Sequence, residues 1–289
     1  MTGKVQGVVL PGSSAKENAE KVRQEWVVEV IGKVNERPEK NKVAGKMNGS
    51  VELEILGINI LAEAESLPFD MGGETLEPEL PIQLDHRALT LRHAKYQSIF
   101  KVQNVIVDSF REYMKENNFF EFFAPSITPA VAEGGSEVFQ IDYFDHRAFL
   151  SQSPQLYKQI VMTAFERVFS VNKIFRAEPS QTTRHLTEVL SLDAEMGFIE
   201  SWRDVRDMAE GTVRRILKNV ADKCGEELRI LGATLPEMIE ETPTLSLAEA
   251  QEKIFTVFGR DVRREKDLNP EDERNLCEAI KNEKIGRAS

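Results

Sequence analysis

Cysteine and histidine are scarce in these 289 residues, and the scarcity removes whole classes of protein. The two thiols, Cys224 and Cys277, stand apart with no Cys-x-x-Cys spacing, and there are only four histidines. Both facts argue against a disulfide framework and against a structural zinc site. Apolar runs of about 18 residues, the length a membrane helix needs, are missing. Met1-Thr2-Gly3-Lys4 leads into a strand-like stretch rather than the apolar region of a signal peptide, which points to a cytoplasmic protein with no membrane partner. Basic charge is short as well: 37 Lys and Arg face 48 Asp and Glu, for a net charge of −11. That balance counts against nonspecific binding to phosphate backbones, DNA included. It leaves room for a shaped RNA surface, because association follows the local field and not the sum over the chain. No internal repeat or low-complexity tract is present. What remains, 41% hydrophobic and 29% charged residues, is the composition of an ordinary globular protein long enough for two domains.

The first segment alternates as strands do over residues 5–10, 26–34, 51–56 and 58–61, with a short helical stretch at 15–22. The order strand, helix, strand, strand suits the later part of a five-stranded OB-fold barrel, whose opening hairpin is then expected to be missing. Pro68, Gly72, Gly73, Pro78 and Pro81, with acidic residues between them, give the next stretch the composition of a linker. The expected organisation is a partial barrel at 1–66, a linker or hinge at 67–92 and a second domain at 93–289.

A helix is predicted over 95–117, where Ile99, Val102, Ile106, Phe110 and Met114 form one apolar stripe that should face a core. Asn117-Asn118 closes it, since Asn tolerates the left-handed conformation. Strand-like runs follow at 119–123, 138–143 and 148–150, then a helix at 154–165. Two long alternating segments at 168–178 and 186–199 are joined by a polar loop. Ser201 reads as the cap of a helix with Val205, Met208, Val213, Ile216, Leu217 and Val220 on one face. Beyond Cys224 the chain is helix-rich and acidic. This order supports an α+β fold: an antiparallel sheet carrying the 168–199 hairpin, flanked by helices and preceded by the barrel remnant. Within the hairpin, alternation puts Arg176 with Glu178 on one face of the outgoing strand, and Asp193 with Glu195 on one face of the return. So many charges on a sheet face need solvent or a ligand, and the residues by themselves leave both open.

The run Phe175-Arg176-Ala177-Glu178, a polar loop, then Arg184-His185-Leu186-Thr187-Glu188 and Leu192-Asp193-Ala194-Glu195-Met196 resembles motif 2 of the class II aminoacyl-tRNA synthetases. Within their Asp/Asn/Lys subgroup it is most similar to the aspartyl enzymes of archaeal and eukaryotic type. Three other blocks fit in order. Residues 110–125 look like motif 1, the dimer-forming helix and strand, with Phe110 and Pro125 at its ends. Ala132-Glu133-Gly134-Gly135-Ser136-Glu137-Val138-Phe139 is similar to the mobile loop that closes over the amino acid. Ser151-Gln152-Ser153-Pro154-Gln155-Leu156-Tyr157-Lys158-Gln159 looks like the start of the family's amino-acid-binding helix. The resemblance covers about residues 4–225, and four blocks in order are more specific than any one.

Amino-acid activation is an in-line attack of the substrate carboxylate on the α-phosphate of ATP, so a protein catalyst must position and neutralise rather than supply a nucleophile. The resemblance implies Arg176 as the catalytic residue, its planar fork bridging the α-phosphate and the substrate carboxylate. It implies that Glu178 and Glu188 lie at the nucleotide and that Arg184 and His185 reach the outer phosphates; the alternative for the last two is a solvated turn. Lys158 follows Gln155 by three residues and points to the same side of a helix. It would hold the aspartate β-carboxylate, with Asp193 orienting it and Glu133 and Gln155 taking the ammonium group; the alternative is a surface lysine. A neutral asparagine amide would leave that cation unpaired, so Lys158 favours aspartate.

Three departures stand out. Val189 occupies the place of the family's adenine-stacking ring, and Asn118 the place of a motif 1 glycine. After Phe198 no Gly-x-Gly-x-x-Arg occurs, so motif 3 is absent, with the family's magnesium carboxylates and its second β-carboxylate clamp. ATP and Mg2+ are thus the expected cofactors, with the metal ligands outside the chain. The implied function is a homodimeric ligase that activates aspartate to aspartyl-adenylate and transfers it to tRNA(Asp) in translation, the chain being a fragment, shortened at both ends and inactive alone. The alternatives are an asparaginyl enzyme, a non-discriminating aspartyl enzyme serving tRNA(Asp) and tRNA(Asn), or a noncatalytic synthetase-like binding module.

Overall fold

In a computed structural model the alternating segments near the amino terminus form a three-stranded sheet. It contains β1 (Gln6–Val8), β2 (Val27–Glu36) and β3 (Val51–Ala62) in the order β1-β3-β2, with helix α1 (Lys16–Lys21) between the first two strands. β1 lies parallel to β3, and β2 antiparallel. The runs expected at 51–56 and 58–61 are one strand. Ile31 pairs with Gly57 and Gly32 with Ile55, so Leu56 is the extra residue of a bulge, and the strand bends instead of ending. Gly32 is needed at this point, because a Cβ there would collide with the Glu54 carbonyl oxygen. The structure describes residues 3–44, 48–73, 75–131, 137–177, 186–236 and 242–287, which fall into two units, 1–233 and 234–289.

The stretch with linker composition is helical in its second half. Helix α2 (Leu80–Asp85) has Pro81 in its first turn, where the fixed φ and missing N–H of proline are harmless, and α3 (Arg87–Thr90) follows. These helices are anchored: the Tyr96 hydroxyl donates to Gln83 Oε1 at 2.7 Å, and the Arg87 guanidinium lies 4.4 Å from the Tyr96 ring centroid. Composition registers the backbone breakers here but not these long-range contacts.

Helix α4 (Ala94–Glu116) carries the predicted stripe, of which Phe110 and Met114 are buried while Ile99 is exposed. It ends as expected, with Asn118 left-handed at φ 63° and the Phe119 N–H donating to the Met114 carbonyl at 3.0 Å. The chain then runs through β4 (Phe120–Glu121), β5 (Ile127–Thr128), β6 (Gln140–Tyr143), β7 (His146–Leu150), α5 (Gln155–Phe165), β8 (Arg167–Phe175) and β9 (Glu188–Met196). They make two sheets, β4-β8-β9 and β5-β7-β6. The β8–β9 hairpin keeps antiparallel register without a break from Arg167 opposite Met196 to Phe175 opposite Glu188. One of its faces is apolar: Phe169, Val171, Leu192 and Met196 pack with Phe110, Met114 and Phe119. Each fully buried side chain of that size contributes about 1.5–3 kcal/mol of transfer free energy.

Met208 and Ile216 of α6 (Trp202–Lys223) close the same core. Ser201 caps α6 in a reciprocal box with Asp204, and the backbone N–H groups of Ser201 and Glu200 hold the Asp204 carboxyl below its ordinary value. Helix α7 (Gly225–Leu231) completes the first unit. The second contains α8 (Leu247–Phe258), capped by Ser246 and Glu249, and α9 (Pro270–Arg287). Among the described residues no helix is long and apolar enough to cross a membrane.

Candidate functional site

Helix α5 is aimed by the buried segment in front of it. The Phe175 N–H donates to the Ser151 carbonyl at 2.8 Å, Ser151 Oγ donates to the Ser153 carbonyl at 3.0 Å, and the Gln155 N–H donates to Ser153 Oγ at 3.2 Å. The first turn of α5 is thereby tied to the end of β8, one residue before Arg176. From this anchored turn Lys158, only 6% exposed, reaches Asp193 Oδ1 at 3.3 Å and Glu195 Oε2 at 3.6 Å on β9. Gln155 Nε2 donates to the same Glu195 oxygen at 3.3 Å. The burial excludes a solvated surface lysine.

Register explains why these groups meet. Directly opposed residues of an antiparallel pair point to one side, so Ser170 with Asp193, Asn172 with Ser191 and Ile174 with Val189 form a second face, away from the apolar core. One ammonium against two carboxylates leaves the cluster at a formal charge of −1. An ammonium has three N–H donors; one is given to Asp193 Oδ1, while Glu195 at 3.6 Å is an ion-pair neighbour, so N–H donors remain for a ligand.

The structure therefore brings Gln155, Lys158 and Asp193 together, with Glu195 as a fourth member that the sequence reading did not include. Its signal was available, since Glu195 shares the alternation of Asp193. Arg176 is exposed just beyond β8, where its backbone N–H donates to the Thr187 carbonyl at 3.0 Å, and its guanidinium takes no partner among the described residues. Glu133, Glu178, Arg184 and His185 lie outside the described residues.

Glu188, expected at the nucleotide, stands opposite Phe175 and its carboxylate bonds Lys173, on the face opposite to Asp193. An odd separation of five residues from Asp193 forces that placement in an unbroken strand. The resemblance puts Phe110 at a dimer surface and its helical stripe at a core; it is 3% exposed and packs edge-on against Phe169, ring centroids 5.6 Å apart, so its side chain belongs to the core. The exposed apolar members of that stretch are Phe120, Phe123 and Pro125, and Phe120 stacks on Phe165 of α5 at 4.1 Å.

A cleft of about 440 Å³ opens elsewhere in the first unit, lined by Tyr113, Arg167, Met196, Phe198, Asp204 and Asp207. It does not include Lys158. Among the described residues no three His, Cys, Asp or Glu side chains converge as a metal-binding group.

The chain has clear relatives. The family model for class II tRNA synthetases of the D, K and N group matches residues 79–287, and the chain belongs to that family. Among curated proteins it is 39% identical over 252 residues to the aspartate–tRNA(Asp/Asn) ligase of Deinococcus radiodurans, covering 87% of this chain and 56% of that protein. The aspartate–tRNA(Asp/Asn) ligase of Methanopyrus kandleri is 39% identical over 283 residues, covering 96% of this chain and 63% of its own length. The asparaginyl-tRNA synthetase of Pyrococcus horikoshii, solved with asparaginyl-adenylate, superposes with a TM-score of 0.80 at 28% identity over 96% of this chain and 63% of that one. This chain thus spans about three fifths of the relatives it matches, and its α+β architecture is that of the class II catalytic domain.

Proposed function

We propose that this chain supplies the aspartate- and ATP-binding part of an aspartate–tRNA ligase, which activates aspartate to aspartyl-adenylate and passes it to tRNA(Asp). The observation that carries the proposal is the buried Lys158, held by Asp193 and Glu195 on the hairpin whose outgoing strand leads into Arg176. A remaining N–H of Lys158 takes the substrate β-carboxylate. Gln155 and Glu133 take the ammonium group, which the excess carboxylate of the cluster also favours. Arg176 bridges the substrate carboxylate and the α-phosphate, so that attack is in line and the developing charge is spread over a fixed fork. Arg184, His185 and Glu178 bind the remaining phosphates and the nucleotide. Val189, opposite Ile174 on the same face, covers the base without stacking as a ring does. Mg2+ finds no cluster of three ligands among the described residues. The working form is a cytoplasmic homodimer meeting through Phe120, Phe123 and Pro125.

Equilibrium binding tests this reading. Aspartate is expected to bind the chain at least about tenfold more tightly than asparagine, because the amide leaves a buried cation unpaired. Lys158→Met should erase the preference, and a preference for asparagine would favour an asparaginyl enzyme instead. Residues 199–289 hold no Gly-x-Gly-x-x-Arg, so ATP–pyrophosphate exchange by this polypeptide alone should stay at background. A second reading, charging of both tRNA(Asp) and tRNA(Asn), is favoured by the Asp/Asn names of the relatives and is separated by charging assays with each tRNA.

A further inference from the structure

Three polar atoms beside the Lys158 cluster are buried without a hydrogen-bond partner among the described residues. Ser170 is 0% exposed, and its Oγ is unpartnered. The Asn172 amide nitrogen and Asp193 Oδ2, the carboxylate oxygen that does not face Lys158, are also shut off from solvent and unpaired. Register gathers them, since Ser170 lies directly opposite Asp193 and Asn172 is the next residue along the same face. Opposed Cβ atoms in such a pair are about 5 Å apart and diagonal neighbours about 7–8 Å, so the three polar ends fall within reach of one bridging molecule. Their chemistry is complementary: an amide N–H and a hydroxyl donate, and a carboxylate oxygen accepts. Buried polar groups left unmade are costly, and a buried water commonly satisfies about three of them at once.

We propose that Ser170, Asn172 and Asp193 form a site for one bound water molecule, through which Ser170 and Asn172 act as positioning residues for aspartate recognition. The water accepts from Asn172 Nδ2 and Ser170 Oγ and donates to Asp193 Oδ2. Oδ1 stays on the Lys158 ammonium at 3.3 Å. With both oxygens engaged the carboxylate cannot rotate, and the N–H groups of Lys158 not given to Asp193 keep their aim at the ligand. The positioning role rests on the assignment of Lys158 to the substrate β-carboxylate; the water site does not.

Two measurements on the 289-residue chain test this. A crystal structure at a resolution that shows ordered solvent should place one water within about 2.7–3.2 Å of all three atoms. Calorimetry should find aspartate bound about tenfold more weakly by Asn172→Ala, with asparagine binding changed less than about twofold, the size of effect expected when a supporting contact is lost. Ser170→Ala should act in the same direction, and Asn172→Ser, which keeps a donor, should recover part of the loss. A purely structural role would lower the melting temperature and leave the aspartate-to-asparagine ratio alone. No water at that place, or an unchanged ratio in both alanine variants, overturns the proposal. If the unmodified chain binds neither amino acid, the proposed function fails and the positioning role with it, while the solvent density still decides the water site.

Discussion

Replacing Lys158 by Met removes one ammonium from between two carboxylates while keeping most of the packing volume. The 3.3 and 3.6 Å separations correspond to about 5 kcal/mol of attraction per pair at an effective dielectric of about 20, most of it offset by the desolvation of the three groups. Breaking a buried pair by removing one partner typically costs about 3–5 kcal/mol. The Asp193 and Glu195 side chains retain 17% and 26% of their exposure, so water recovers part of that loss. The expected destabilisation is therefore about 2–3 kcal/mol, or about 5–10 °C in Tm for a unit of this size. Trp26 and Trp202 both lie in the 1–233 unit, so urea unfolding followed by tryptophan fluorescence reports on the unit that contains the cluster. The triple variant Lys158→Met, Asp193→Asn, Glu195→Gln removes the stranded charges and should recover all but about 1 kcal/mol. A single variant within about 0.5 kcal/mol of the parent, or a triple variant no better than the single one, would refute a buried cluster held by charge.

Three further outcomes follow from other parts of the structure. Gly211→Ala should destabilise by about 1–3 kcal/mol in a thermal melt despite the roughly 1 kcal/mol that alanine gains in a helix, because the new Cβ would collide with the Tyr113 hydroxyl and come within 2.7 Å of its Cζ; a stabilised variant would show that Tyr113 moves freely. Hydrogen bonding from Lys101 at 3.0 Å holds Glu227 below its ordinary value of 4.5, so this contribution is present above the unfolded value and is lost as pH falls through the folded one; Glu227→Gln should lower the urea midpoint slightly near neutral pH, and the gap should close in acid rather than widen. Burial pushes the Cys224 thiol up while Cys277 is exposed, so Ellman's reagent should label one thiol quickly and the other only after unfolding, and two equally fast thiols would contradict the packing under α7.

Much of this architecture was legible in local patterns. The α4 stripe, the Asn118 stop, the Ser201 cap and both strands of the hairpin follow from periodicities of 3.6 and 2 and from the chemistry of caps. What escaped depended on partners distant in the chain. The helices at 80–90 are fixed by Tyr96 through Gln83 and Arg87, and His93 holds the Gly73 carbonyl across a stretch rich in backbone breakers. The single strand β3 exists because β2 tolerates a bulge opposite Gly32. The stripe of α4 did not reveal that Phe110 would be spent on Phe169, because periodicity identifies an apolar face without naming what covers it.

Glu188 shows how far alternation could have been carried. The same parity that pairs Asp193 with Glu195 sends Glu188 to the opposite side, provided the hairpin contains no bulge, and only the observed register supplies that condition. Once it holds, the hairpin divides cleanly: the odd-numbered outgoing residues Phe169 and Val171 pack the core, and the even-numbered Ser170 and Asn172 line the face that carries Asp193. The site's precision then has a physical source. Lys158 is placed by a helix whose first turn is tied to the end of β8, and its two carboxylates sit on the neighbouring strand of the same rigid hairpin. A cation fixed to both elements can distinguish a carboxylate from an amide in a way that a mobile surface lysine could not.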